Sequence, residues 1–300
     1  MVNVRSIMAH LDLSLPFDLD FTLCCGQTFK WKKHGDWWYG TVGENVFKVR
    51  QSGDKLEFEN AGEDFVRKYF RLNDNLPEIF SQINKDKHIG TAIEEFKGLR
   101  ILRQDPWECL ISYICATYKN IAAIERMLLR LSRKFGKEVV LDGCSFFTFP
   151  TPMKLAKATS ENLRECELGY RVRYVSETSK EIFKNDYDLE PLKKATYDHA
   201  KEELLRFPGV GPKVADCVLL FSLDRLDAFP VDVWIRRAVL KHYASSFPSK
   251  FVDTISRQKS LSGSGYRRLN SFGRQYFGKY AGYAQEYLYH YERTQTRSRS

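Results

Sequence analysis

No run of apolar residues in this sequence approaches the roughly 18–20 that a membrane-spanning helix needs, so a helical membrane protein is excluded. The opening stretch MVNVRSIMAHLDLSLPFDLDF carries acidic residues through its apolar part and does not read as a secretory signal. An intracellular protein is therefore expected. The 7 cysteines (Cys24, Cys25, Cys109, Cys115, Cys144, Cys166 and Cys217) form no C-x-x-C pair and no Cys/His cluster at zinc spacing. This argues against a disulfide framework, a zinc site and a four-cysteine iron–sulfur cluster, and leaves reduced, mostly buried thiols. Acidic residues are the minority charge, 38 against 47 basic, for a net +9. That balance suits a polyanionic partner, nucleic acid first, and it also suits an ordinary basic enzyme. No internal repeat and no Pro- or Ser-rich linker divides the chain.

What is present changes character along the chain. The segment WWYGTVGENVFKVRQSGDKLEFEN alternates aromatic and β-branched runs with Gly-Glu-Asn and Ser-Gly-Asp breaks, the pattern of antiparallel strands joined by hairpins. EDFVRKYFRL then reads as a short amphipathic helix with Phe65, Tyr69 and Leu72 on one face. From about residue 77 the helical period takes over and strand signals nearly vanish. Pro106 stands near a helix start, Gly136 at a helix end, and Leu110, Tyr113 and Ile114 make an apolar stripe. The expected fold class is α+β. A small antiparallel β-rich N-terminal domain (1–98) precedes a larger all-α body (99–293) with a helix–hairpin–helix at about 199–222. A basic tail, 294–300, is expected to fray.

The segment RFPGVGPKVAD (206–216) raises a chemical question. Gly209 and Gly211 permit backbone angles closed to other residues, and Pro212 suits the first turn of a helix. Such a hairpin can aim backbone N–H groups at a phosphate, or simply turn a structural corner. Lys213 puts a cation at the positive end of the helix dipole. If it is also desolvated, both effects favour the free amine, which is a nucleophile. Otherwise it is a surface lysine on a phosphate-binding corner. Nineteen residues on, Asp232 follows Pro230 in AFPVDVWIRRAVL, where an aspartate caps a helix. The same carboxylate can also stabilise positive charge developing on a sugar or handle protons at a nucleophile.

The string LLRFPGVGPKVADCVLLFSLDRLDAFPVDVWIRRAV resembles the helix–hairpin–helix plus Gly/Pro–Asp motif of base-excision DNA glycosylases. CCGQTFKWKK, RILRQDPWECLISYICATYKNIA, ELGYRVRYVSE and KYAGYAQEYLY, in the same order, extend the likeness to the 8-oxoguanine DNA glycosylase/AP lyases over nearly the whole chain. The resemblance implies a bifunctional enzyme that flips 8-oxoguanine from duplex DNA. Lys213 would attack C1′ and form an imine with Asp232 as the partner carboxylate, and β-elimination would follow. It implies a base pocket of Gly26, Cys217, Gln285, Tyr289 and Pro230. In that pocket the Gly26 carbonyl accepts the N7 proton of the oxidised base, Cys217 and Tyr289 sandwich the base, and Gln285 bonds its Watson–Crick edge. Asn120, Tyr170 and Arg171 would fill the gap in the duplex and contact the orphaned base. Gly209, Gly211, Val214 and Trp234 would lie at DNA phosphates. The carbonyls of Leu205, Phe207 and Val210 would hold potassium or a similar cation, with no catalytic metal. A monomer is expected, in the cytoplasm or on the nucleoid of a prokaryote.

Three departures from the family pattern stand out. Tyr118-Lys119-Asn120 stands for Asn-Asn-Asn, Ala123 replaces the arginine that reads the opposite cytosine, and Trp234 stands where many members carry histidine. Weaker discrimination among opposite bases is expected. The rival readings are a glycosylase for another damaged or mismatched base, and a non-catalytic protein using the hairpin only to bind DNA.

Overall fold

The computed structural model describes residues 8–297. Strands β1 (Ala9–Asp12), β2 (Trp31–His34), β3 (Trp37–Val42), β4 (Asn45–Ser52) and β5 (Lys55–Glu59) form one antiparallel sheet in the order β1-β5-β4-β3-β2. Two of its three hairpins, β3–β4 and β4–β5, fall where the Gly-Glu-Asn and Ser-Gly-Asp breaks place them. Gly43 (φ 57°) and Gly53 (φ 59°) take the left-handed angles such tight turns need. Helix α1 (Leu19–Cys24) crosses from β1 to β2, and α2 (Glu63–Tyr69) follows β5. Val49 pairs with Trp38 on one side and Phe58 on the other, so one register turns a continuous apolar face inward. Phe47, Val49, Leu56 and Phe58 are fully buried; Tyr69 at the end of α2 and Leu72 in the turn just beyond it close over them, with Phe65 against the edge.

The body comprises α3 (Leu76–Ile83), α4 (Lys87–Glu95), α5 (Pro106–Ala116), α6 (Ile121–Phe135), α7 (Pro152–Ala156), α8 (Ser160–Arg164) and α9 (Arg171–Lys184). It continues through α10 (Tyr197–Leu205), α11 (Pro212–Ser222), α12 (Val233–His242), α13 (Ser249–Arg257), α14 (Gly263–Phe277) and α15 (Ala281–Arg297). Pro106 and Gly136 punctuate as expected, at the start of α5 and the end of α6. A second apolar core gathers residues from Leu76 to Leu288 together with Cys25 and Phe29.

Three details differ from the sequence reading. The body is not all helical: β6 (Glu138–Leu141) and β7 (Cys144–Phe147) pair across an Asp142-Gly143 turn in which both residues have positive φ. This hairpin rests on the sheet, with Phe146 stacked on Tyr39 at 5.4 Å and Asp142 held by Lys48 at 2.7 Å. Secondly, α3 and α4, expected with the N-terminal domain, bury Leu76, Ile79, Ile89 and Ile93 in the body's core. Thirdly, residues 294–297, expected to fray, continue α15. Thr294 and Thr296 bond back to the helix carbonyls, and Gln295 reaches Glu95. Residues 298–300 lie outside the described residues.

Across β2, β3 and β4, Trp31, Gly40 and Phe47 lie in register, and the Trp31 and Phe47 rings meet edge to face at 5.0 Å. A Cβ on Gly40 would stand 2.5 Å from the Trp31 ring, closer than packed atoms come. Gly40→Ala should therefore destabilise the protein by about 1–3 kcal/mol, read as a lower urea midpoint with an unchanged m-value.

Candidate active site

A glutamine that cannot be spared fixes the CCGQ loop. Gln27 is buried, and its amide donates to the carbonyls of Thr22 (2.9 Å) and Arg100 (2.8 Å) while accepting from the Leu102 N–H (2.8 Å). Its own carbonyl takes Gln104 Nε2 (2.7 Å) and the Tyr113 hydroxyl (3.1 Å). The side-chain amide and the backbone carbonyl of Gln27 are thus both satisfied. Gly26, one residue before, has φ 104°. A Cβ there would stand 2.8 Å from the Arg293 guanidinium and 3.2 Å from the Tyr289 hydroxyl. Glycine is required both by backbone angle and by space. Arg293 secures the loop from α15, donating to the Cys24 carbonyl at 2.6 Å.

Helices α10 and α11 enclose the Gly-Val-Gly turn. Gly209 (φ 83°) leaves room for the Tyr174 ring, and Thr178 of α9 donates to the Pro208 carbonyl at 2.9 Å. Gly211 caps α11 without a side chain, so the first-turn N–H groups at Lys213 and Val214 lack intrahelical partners. Lys213 leaves this first turn and lays its ammonium over the Tyr113 ring, 4.8 Å from the centroid. The same Tyr113 hydroxyl bonds the Gln27 carbonyl, so one side chain sets the lysine relative to the Gly26 loop. Asp232 caps α12 and accepts from the Ile235 N–H at 2.8 Å.

These elements converge on one cavity of about 50 Å³. Gly26, Lys213, Cys217, Pro230, Asp232, Gln285 and Tyr289 all line it, together with Tyr113, Phe221 and Glu286. Two larger clefts, beside Lys97 and beside Lys241, hold none of these groups. Burial pushes the Asp232 carboxyl up from its usual range, against the Ile235 N–H and the nearby Lys213 charge. Burial likewise holds the Cys217 thiol up at about 12, with Lys213 opposing, so it presents a neutral sulfur. Glu286 is pushed up to about 7 by burial, against a hydrogen bond from the Cys25 thiol and the charge of Arg293.

The remaining candidates lie apart from the cavity. Asn120 is exposed and caps α6 by accepting from the Ala123 N–H at 2.9 Å. Tyr170 stands 56% exposed at the start of α9, with Tyr118 also exposed at φ 55° on the α5–α6 turn. Arg171 needs correction. Its side chain is buried, not presented to a duplex, and its guanidinium bonds the Thr117 and Leu168 carbonyls. It fastens the turn that presents Tyr118, a demand the sequence could not announce. Trp234 is half-buried at the start of α12, under the Arg237 guanidinium at 4.9 Å. Leu205, Phe207 and Val210 surround the C-terminal, electronegative end of α10, and the Phe207 carbonyl already accepts from the Val210 N–H at 3.1 Å. Among the described residues no cluster of His, Cys, Asp and Glu forms a metal site.

Residues 11–110 match the family described as 8-oxoguanine DNA glycosylase, N-terminal domain, and residues 111–251 match the HhH-GPD superfamily of base excision DNA repair proteins. The N-glycosylase/DNA lyase OGG1 of Arabidopsis thaliana is 33% identical, covering 94% of this chain and 78% of its own. The N-glycosylase/DNA lyase of Saccharomyces cerevisiae is 34% identical over 89% of this chain and 81% of its own. In solved structures, the Clostridium acetobutylicum 8-oxoguanine glycosylase/lyase, in complex with duplex DNA containing cytosine opposite 8-oxoguanine, superposes with a TM-score of 0.85. It is 31% identical and covers 97% of this chain and 98% of its own. The chain belongs to the 8-oxoguanine DNA glycosylase family.

Sequence reasoning about this glycosylase-family chain missed Tyr113, Gln27, Glu286 and Arg293. Tyr113 left a faint signal, a hydroxyl in an otherwise apolar stripe. Glu286 left another, a carboxylate beside Gln285 on a helix rich in buried tyrosine. Its linkage can be measured. Between the ordinary carboxyl range and pH 7 the folded state keeps the Glu286 proton that the unfolded chain gives up, so this group costs stability as pH rises. Glu286→Gln should stabilise the protein at pH 8 by up to about 3 kcal/mol relative to the parent, and by little at pH 5, in urea unfolding at both pH values.

Proposed function

We propose that this protein is a bifunctional DNA glycosylase/AP lyase that excises 8-oxoguanine from duplex DNA. The observation that carries the reading is the meeting of Lys213, Asp232, Gly26, Cys217 and Gln285 around one cavity, from segments far apart in the chain. The relatives named above as N-glycosylase/DNA lyases support the activity, and the Clostridium complex supports duplex DNA as the partner.

In this reading the flipped nucleotide places its base in the cavity and its sugar over Lys213. Lys213 gives its ammonium proton to solvent; the amine's lone pair then attacks C1′ as the bond to the base breaks, and the base leaves with the bonding pair and takes up a proton from the nitrogen. Asp232 stabilises the positive character that grows on the sugar, which a low-dielectric setting makes effective. Loss of the remaining proton from nitrogen and opening of the sugar ring give the imine. Removal of a C2′ proton then expels the 3′ phosphate and nicks the strand. The Gly26 carbonyl would accept N7–H of the oxidised base and repel the bare N7 of guanine. Neutral Cys217 and Tyr289 would cover the two faces of the base.

The first-turn N–H groups of α11 would hold a phosphate, and exposed Tyr170 and Tyr118 would enter the gap in the duplex. A monovalent cation on the carbonyls of Leu205, Phe207 and Val210 fits the electronegative end of α10 and would stiffen the hairpin. We extend the reading to a monomer at work in a prokaryotic cytoplasm or nucleoid, on the strength of Ala123 and Trp234. Among the described residues no helix is long and apolar enough to cross a membrane.

Borohydride reduction with an 8-oxoguanine duplex should trap a covalent protein–DNA adduct, and Lys213→Gln should abolish it while retaining binding. A parent protein that binds the duplex yet gives no adduct would mean a non-catalytic binder, and trapping only with other lesions would mean another glycosylase. Because Ala123 offers no guanidinium to the opposite base, Ala123→Arg should raise the ratio of excision rates opposite cytosine over adenine by at least about fivefold, measured in single turnover.

A further inference from the structure

Helix α15 brings two hydrogen-bond acceptors to the cavity that have nothing to accept. Gln285 Oε1 and Glu286 Oε1 are both buried, and neither has a partner among the described residues. A buried acceptor without a donor costs about 1–3 kcal/mol, and adjacent residues lining one cavity share this defect. Gln27, on the neighbouring loop, is by contrast fully paired through its side chain. Glu286 is not held by a cation either. Its one neighbour bond is from the Cys25 thiol, whose sulfur also lies 3.3 Å from the Thr22 carbonyl and has a single proton to give. Arg293, on the same helix, forms no ion pair with Glu286 and directs one nitrogen to the Cys24 carbonyl and the His290 ring.

We propose that Glu286 is a base-reading group: with Gln285 it accepts the N1–H and N2–H donors of a guanine-type base, and so selects a base bearing the exocyclic amine over one lacking it. The inference rests on the glycosylase reading above and adds to it a residue and a chemical criterion. Guanine and its oxidised forms present two neighbouring donors on the Watson–Crick edge, which two acceptor oxygens complement. Adenine alternates donor and acceptor there, and hypoxanthine keeps N1–H but has no amine. A site whose buried acceptors await donors rejects the analogue that lacks one, because the acceptor then stays unpaired. Burial, which holds the Glu286 carboxyl up at about 7 when the cavity is unfilled, fits a group awaiting donors rather than one satisfied by the fold.

The test compares single-turnover excision of 8-oxoguanine and of 8-oxohypoxanthine, each opposite cytosine, by the full-length protein. The parent should prefer 8-oxoguanine, and Glu286→Ala should shrink that preference by about tenfold, through slower 8-oxoguanine excision with the hypoxanthine analogue little changed. Glu286→Gln, which keeps size and one acceptor, should shrink it less and serves if the alanine variant does not fold. Cys25→Ala should leave the preference intact. A preference within twofold of the parent in both Glu286 variants overturns the proposal. So does an equal loss in Cys25→Ala, which would mean that Glu286 acts only by bracing the Gly26 loop. If the parent excises neither base and gives no borohydride adduct, the glycosylase reading itself falls, an outcome distinct from either of these.

Discussion

The site depends on one buried carboxylate. Asp216, inside α11 and inaccessible to solvent, accepts from the hydroxyls of Tyr197 and Tyr266 at 2.5 Å each, from Lys201 at 2.8 Å and from Asn270 at 3.1 Å. Burial alone pushes its pKa up; the four donors oppose that, and they come from α10 and α14. A charge taken out of water holds position only when its lone pairs are answered, so the helices on either side of α11 are locked to it. The Tyr266 oxygen also lies 3.4 Å from the Val231 N–H and 3.3 Å from the Pro212 carbonyl. Val231 precedes Asp232 and Pro212 precedes Lys213. The backbones carrying the nucleophile and its partner carboxylate are therefore referenced to the same buried group.

A second set of constraints brings in the pieces that the hairpin does not contain. Tyr113 of α5 links Lys213 to the Gln27 carbonyl, and Arg293 of α15 grips the Cys24 carbonyl, so the Gly26 loop is held from two sides. Helix α15 then delivers Gln285, Glu286 and Tyr289 along one face, at the i, i+1 and i+4 positions. It lies beyond the residues matched to the superfamily, 111–251. The N-terminal sheet thus acts as a mount for a single reading loop, and the last helix as the far wall of the same cavity.

This explains which parts were legible. The hairpin, the cap at Asp232 and the strands around Gly43 and Gly53 follow from local rules: backbone angles, caps and periodicity over a few residues. Gly26, Cys217 and Gln285 were legible only through resemblance, since each alone looks like a turn glycine, a core thiol and a surface amide. Gln27, Tyr113 and Arg293 act through partners 75 to 269 positions away, and no local pattern encodes such contacts. Arg171 misled for the same reason: beside exposed Tyr170 it looks like a surface cation, yet its carbonyl partner at Thr117 turns it inward. The β6–β7 hairpin was a different failure, because Asp142-Gly143 is a strong turn signal that the surrounding helical periodicity masked.

The cavity's size and its unpaired oxygens bear on how a base would enter. The cavity is narrow, about 50 Å³, so a base entering it would press on its walls. Tyr289 is one such wall, its hydroxyl lying 3.2 Å from where a Cβ on Gly26 would stand, and it sits one turn beyond Gln285. Displacing it forfeits packing in a region that is close-packed everywhere else. A base that meets both acceptors on α15 recovers two hydrogen bonds that the fold leaves unmade, and so offsets that loss; a base that does not must open the cavity uncompensated. Discrimination would then act at entry, before C1′ comes within reach of Lys213, and the unsatisfied carboxyl that weakens the folded protein at neutral pH would be the same group that makes the pocket selective.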